Sequence, residues 1–396
     1  VVDLPAPFGL RGDIRGNVLY VDENTVIYPC GHVVVVLNTE TRGQRFLPGS
    51  ERSGGISALA VSPNKKFVAV AERGERATIT VFDIASLKKR KILTCTDIQS
   101  KDIVNLSFSS DGKQLISQGG APDWHMICWN WEKAKVFSGG KVSNNQGNRI
   151  ICTDFCPWDN SAVCTYGDGV LKFIRIQDGT TKPIPFSFKR EAQQYLCHAW
   201  LPEDRFVIAT DTGELFLFES FEFRGAIGVT NKTVDPDKKK EENTLETLPI
   251  DSLVAYNKGF ACGGAQNTLR VFEVSDDPHE YYRHAKTFVI DGKDARVMNL
   301  ALSPSEDYLL CSLSSHQLYV LGLSNTDILK AEEMNFELLT TSVHGPFIPE
   351  NKSGNQVQMQ QVQAQIAAGG SSPAVITGLD CCMRKPFVAT AGIDRV

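Results

Sequence analysis

The stretch Ile56–Leu93, ISALAVSPNKKFVAVAERGERATITVFDIASLKKRKIL, decides the fold. It opens on ISALAVSP, where a period of two puts Ile56, Ala58 and Ala60 on one side and Leu59 and Val61 on the other. A polar turn from Ser62 to Lys66 leads into FVAVAE; TITVFDI then runs to Asp83, and KRKIL adds a short fourth piece. Runs of four to eight residues rich in Val, Ile and Phe, cut by Ser-Pro-Asn turns, predict antiparallel strands joined by hairpins. A four-stranded sheet apolar on both faces cannot bury them alone, so it needs copies of itself on either side.

The copies are present. The first-strand pattern returns as IVNLSFSS, IICTDFCP, YLCHAWLP, DSLVAYNK, VMNLALSP and ITGLDCCM, at successive spacings of 47, 47, 45, 56, 46 and 79 residues. Each copy is followed by a second apolar run, and all but the last by a third, such as MICWNW, VLKFIRI or ELFLFES. A more divergent copy spans Asn17–Gly49. A repeat of about 40–45 residues carrying four strands is the WD40-type propeller blade. A generic β-sandwich would not keep that order at near-constant spacing.

The expected fold is therefore all-β: a seven-bladed WD40-type β-propeller over 14–342, with the first strands of a second propeller over 374–396. Residues 1–13 are an N-terminal segment whose LPAPFGL is a candidate ring-closing strand, for this ring or for the second. Residues 343–373 read as a Gln-rich flexible linker. The missing initial Met and the end at Arg395-Val396, inside a strand pattern, point to a piece of a longer chain.

Composition narrows the function classes. With 42% hydrophobic and 22% charged residues the chain has material for a packed core, and no apolar run approaches the ~18–20 residues of a membrane span. A net charge of −5 argues against nucleic acid as a partner. Most of the eleven cysteines sit inside apolar runs, which fits buried reduced thiols better than a disulfide framework.

No nucleophile elbow, phosphate loop or zinc-ligand spacing is present, so no catalytic residue, cofactor or metal is expected. Asp168-Gly169 and Asp211-Thr212-Gly213 fit turns between second and third strands better than catalytic acids. First strands beginning at Ile56, Ile103, Ile150, Tyr195 and Val297 predict an apolar, filled channel, which disfavours a funnel enzyme. Candidate partner contacts are Trp124 and His125 in the turn GGAPDWHM, the basic run Lys88-Lys89-Arg90-Lys91, and Lys238-Lys239-Lys240 in the charged insertion. The bland alternatives are a solvated turn leading into an outer strand for the first basic run and a self-neutralising loop for the second. An acidic protein surface suits Lys88–Lys91 better than DNA.

Several stretches resemble one family. PFGLRGDIRGNVLYVDENTVIYPCGH, RFLPGSERSGGISALAVSPNKKFVAV, CWNWEKAKV and RFVIATDTGELFLFES are similar, in order from Pro7 to Ser220, to the amino-terminal half of the cilia- and flagella-associated protein 57 family. That family carries tandem WD-repeat propellers followed by a coiled coil. The resemblance implies a non-enzymatic axonemal scaffold that positions inner dynein arms on doublet microtubules. The implied partners are inner-arm dynein components, neighbouring regulatory-complex proteins and the tubulin doublet. A general WD adaptor for trafficking, ubiquitin-ligase or RNA-linked assemblies is the alternative reading.

Overall fold

The apolar runs form antiparallel strands wherever a turn residue lets the chain fold back. The computed structural model describes residues 10–50, 53–94, 99–143, 147–227, 248–277, 280–290, 295–323, 336–340, 376–381 and 388–392. Blade 1 is β1 (Leu19–Tyr20), β2 (Thr25–Cys30), β3 (Val33–Asn38) and β4 (Gln44–Pro48). Blade 2 is β5 (Ile56–Val61), β6 (Phe67–Glu72), β7 (Thr78–Asp83) and β8 (Lys89–Thr94). Blade 3 is β9 (Ile103–Phe108), β10 (Gln114–Gly119), β11 (His125–Asn130) and β12 (Lys135–Lys141). Blade 4 is β13 (Ile150–Cys156), β14 (Asp159–Gly167), β15 (Val170–Gln177) and β16 (Thr180–Ile184). Blade 5 is β17 (Tyr195–Leu201), β18 (Arg205–Thr210), β19 (Leu215–Glu219) and β20 (Glu222–Ile227). Blade 6 is β21 (Ile250–Tyr256), β22 (Gly259–Gly264), β23 (Thr268–Val274) and β24 (Tyr282–Val289). Blade 7 is β25 (Val297–Leu302), β26 (Tyr308–Leu313), β27 (Leu318–Gly322) and β28 (Phe336–Thr340). A further hairpin pairs β29 (Ile376–Cys381) with β30 (Val388–Gly392).

Each of the seven sheets holds four consecutive strands in chain order, so the chain is a seven-bladed WD40-like β-propeller. The core lies between blades rather than in one centre. One cluster joins Ala58, Ala69, Ala71 and Val81 of blade 2 to Leu106, Leu115 and Trp129 of blade 3. Another joins Val207 and Leu217 of blade 5 to Phe260, Cys262 and Phe272 of blade 6. Between blades 4 and 5 the filling is aromatic, with Phe173 in contact with Phe186, Phe206, Phe218 and Phe221.

One irregularity recurs. In blades 2 to 7 the inner strand bulges just after its first paired residue, so that Ser57, Val104, Ile151, Leu196, Asp251 and Met298 are extra residues in the ladder. A bulge reverses the facing of what precedes it. Ile56 consequently packs with Leu59 against blade 1, while Ala58 and Ala60 pack against blade 3, which corrects the strict alternation expected for this strand.

The candidate ring-closing strand of residues 1–13 falls mostly outside the described residues. Its described end, residues 10–13, is a turn at the ring seam, not a strand. Blades 1 and 7 meet directly: Val18, Tyr20 and Tyr28 share a cluster with Leu310 and Leu318. Asn299 at this seam accepts from Gly16 N at 2.5 Å and donates to Asn17 Oδ1 at 2.8 Å, and Ser305 Oγ donates to Glu23 Oε2 at 2.6 Å.

Candidate functional site

Seven inner strands surround a channel, and its lining departs from the apolar, filled channel expected. A cavity of about 410 Å³ is bordered by Arg15, Asn105, Asp154, His198, Asp251 and Asn299 among others. The expectation fails because of the bulges. Ile56, Ile103, Ile150, Tyr195 and Val297 stand before them and pack between blades, each buried, while polar residues further along the strands reach the channel.

The most connected polar group joins three blades. His198 Nε2 lies 2.9 Å from Asp154 Oδ2, Trp200 Nε1 donates to the same oxygen at 2.9 Å, and Ser107 Oγ donates to Asp154 Oδ1. His198 Nδ1 is 2.9 Å from the Tyr166 hydroxyl. Burial pushes the Asp154 pKa up, but the hydrogen bonds from His198, Ser107 and Trp200 outweigh it and hold the carboxyl below its usual range. Burial opposes a charged His198, yet the hydrogen bond to the Asp154 carboxylate raises its pKa well above the ordinary value. Burial raises the Tyr166 phenol well above its usual pKa, so it stays protonated and is a poor nucleophile. The arrangement is a charged, fully engaged brace across blades 3, 4 and 5. Sequence reading missed it, although Asp154 and His198 interrupt the apolar strands ICTDFC and YLCHAW.

One mouth of the channel is covered by the chain's own residues. Arg11 Nη1 donates to Ile56 O in blade 2, Gly12 N donates to His316 Nδ1 in blade 7, and Arg15 Nη1 donates to Leu196 O in blade 5. The segment from Arg11 to Gly16 thus spans the end at which the inner strands begin. That is also the face onto which the turns between second and third strands open.

The sequence candidates separate in the structure. Trp124 is only 6% exposed, with its ring in the core between blades 3 and 4, and His125 is the first residue of β11 and half-buried. The turn reading is corrected for His125, which lies in β11, while Trp124 closes the turn with φ of 45° and its indole is folded into the core. Trp129 Nε1 donates to Ser117 Oγ at 2.8 Å, and Ser100 Oγ donates to Asp123, tying this blade internally. Lys88 precedes β8; Lys89, Arg90 and Lys91 lie on it, all exposed. Arg90 is paired with Asp83 at 2.8 Å. Lys238, Lys239 and Lys240 lie outside the described residues. Asp168-Gly169 and Asp211–Gly213 do form turns, with Gly169 and Gly213 at φ of 68° and 80°.

Among the described residues no group of three or more His, Cys, Asp or Glu is placed to hold a metal ion. Cys128, Cys152, Cys156, Cys164, Cys197, Cys262 and Cys311 are buried free thiols. Burial pushes Cys128, Cys156 and Cys262 up to about 12, away from the reactive thiolate.

The ring resembles solved propellers. A chain of the mitotic checkpoint complex superposes with a TM-score of 0.62 at 13% identity, covering 80% of this chain and 89% of that one. The RRP9 WD40 repeats superpose with a TM-score of 0.59 at 15% identity, covering 78% and 90%. At these identities the likeness shows the fold alone. In sequence, mouse cilia- and flagella-associated protein 57 is 33% identical over 432 aligned residues, covering 98% of this chain and 32% of that protein. The chain is a homologue of cilia- and flagella-associated protein 57. Protein 57 A of Tetrahymena thermophila aligns at 25% identity over 98% of this homologue and 32% of its own length. Mouse cilia- and flagella-associated protein 44 aligns at 27% over 54% of the chain and 11% of its own length. The chain spans about a third of the length of the two protein 57 relatives. No family model matches.

Proposed function

We propose that this chain is part of a non-enzymatic axonemal scaffold of motile cilia, which helps dock or position inner dynein arms on doublet microtubules through propeller surfaces. The observation that carries the reading is the alignment of 98% of the chain, in one stretch, with a cilia- and flagella-associated protein. A rigid ring whose polar channel groups are engaged with one another, and whose outer strands are solvent-facing, suits presentation of surfaces to partners. The partners in this reading are inner-arm dynein components, neighbouring regulatory-complex proteins and tubulin of the doublet.

The reading includes a division of the chain into the ring over 14–342, a linker over 343–373, and a second ring beginning at 374. Two features of the last hairpin support it. β29 bulges between Ile376 and Gly378, as the inner strands of blades 2 to 7 bulge after their first paired residue. Gly392 pairs with Ile376 as Gly119, Gly167 and Gly264 pair with Ile103, Ile150 and Ile250.

The test is fractionation of detergent-stripped cilia, with the protein followed through the axoneme, membrane-matrix and cell-body fractions. Retention on the axoneme with release only by high salt is the expected result. A protein confined to the cell body would overturn the reading and leave a general WD40 adaptor in its place.

A further inference from the structure

Charge is distributed unevenly along the sequence. Residues 49–190, which hold blades 2 to 4, carry 20 Lys and Arg against 13 Asp and Glu, while residues 191–342 carry 13 against 25. Ion pairs occur in both halves; in the basic half Arg73, Lys113, Arg149 and Arg175 are engaged with Asp102, Asp111, Asp168 and Asp159. In the acidic half Arg205, Arg224 and Arg296 are engaged with Glu203, Glu219, Glu222 and Asp251. On the outer rim of blades 2 and 3, Lys88, Lys89, Lys91, Lys135 and Lys141 are exposed, and none forms an ion pair among the described residues. Three apolar side chains are exposed on the same two strands: Ile92 is 55% exposed on β8, and Val136 and Phe137 are 52% and 42% exposed on β12.

We infer that the outer rim of blades 2 and 3 docks an acidic, extended segment of a partner polypeptide that carries interspersed apolar side chains. Uncompensated lysines around exposed apolar side chains match that chemistry by charge and by the area available for burial. The mode is side-chain recognition, not addition of a fifth strand. Arg90 and Phe137 are the extra residues of bulges in β8 and β12, and such bulges interrupt the edge ladder that an added strand needs. The inference rests on the scaffold reading only in taking the partner to be a protein, and cilium fractionation tests that reading separately.

The experiment measures fluorescence anisotropy of a labelled sixteen-residue peptide, four repeats of Glu-Glu-Phe-Glu, titrated with the 396-residue chain. Lys88→Glu/Lys89→Glu/Lys91→Glu is expected to weaken binding about tenfold or more, and Phe137→Ser several-fold, with thermal melts unchanged. Binding should fall steeply as salt is raised, because the lysines are solvent-facing. Lys189→Glu/Lys258→Glu/Arg283→Glu applies the same change of charge at exposed residues outside blades 2 and 3 and should leave affinity within about twofold. Equal weakening by that control, no binding by the parent, or stronger competition by a polyuridine oligomer than by unlabelled peptide each overturns the inference. So does growth of the parent's molar mass with concentration that the rim triple variant abolishes, since the rim would then meet a second copy of this chain.

Discussion

The Nε2 of His198 in blade 5 lies 2.9 Å from the Asp154 carboxylate in blade 4, and this contact makes the inter-blade brace sensitive to pH. The two groups act on opposite sides of neutrality. The raised pKa of His198 contributes stability that is fully present below its unfolded value near 6.5 and is lost as pH rises through the higher folded value. The lowered pKa of Asp154 contributes stability present above its unfolded value near 3.8 and lost as pH falls through the lower folded value. Urea midpoints measured against pH should therefore fall on both limbs, and His198→Gln should flatten the alkaline limb while Asp154→Asn flattens the acid one. An unchanged profile in both variants would show that the brace does not titrate.

Asn299→Ala should loosen the seam between blades 1 and 7 by about 2–3 kcal/mol, because it leaves Gly16 N and Asn17 Oδ1 without this partner. Hydrogen exchange should accelerate first in blades 1 and 7 and leave blades 3 to 5 protected. Uniform acceleration around the ring would count against a local seam.

Phe173→Ala removes a fully buried ring that touches four other phenylalanines between blades 4 and 5. The expected cost is about 3–5 kcal/mol in chemical denaturation, from lost burial and the cavity left behind. A cost below about 1 kcal/mol would mean that the neighbouring rings collapse into the space.

Val207→Asp places a carboxylate in the apolar cluster between blades 5 and 6, at a cost on the order of 5 kcal/mol. That is comparable to the whole stability of many domains, roughly 5–15 kcal/mol. A melt matching the parent's would overturn the strand facing assigned here.

The blades were legible because each strand pairs apolar positions with turn residues at fixed offsets. ISALAV, FVAVAE and TITVFD became β5, β6 and β7 with the boundaries expected. The channel was not legible, because one extra residue after Ile56, Ile150 or Tyr195 decides which neighbours face the axis, and hydropathy does not mark a bulge. Trp124 misled for a related reason: the glycines, proline and aspartate around it signal a turn, but not that the turn folds its indole inward. The rim lysines on β8 were visible as a run, whereas their grouping with Lys135, Lys141 and Phe137 arises only when blades 2 and 3 stand side by side.

Each of the seven blades is made of four consecutive strands, so among the described residues no strand crosses between blades 1 and 7. Six of the seven blade boundaries are bridged by continuous covalent chain; the seventh is held by packing and hydrogen bonds. A force applied between the two ends of the ring therefore loads that one boundary first, and the propeller behaves mechanically as a split washer, yielding at the gap before any blade is stretched. Tethering one end of the chain to a fixed support and the other to a moving load would convert the seam into a tension-dependent opening, with the inner faces of β1 and β25 uncovered in proportion to the pull.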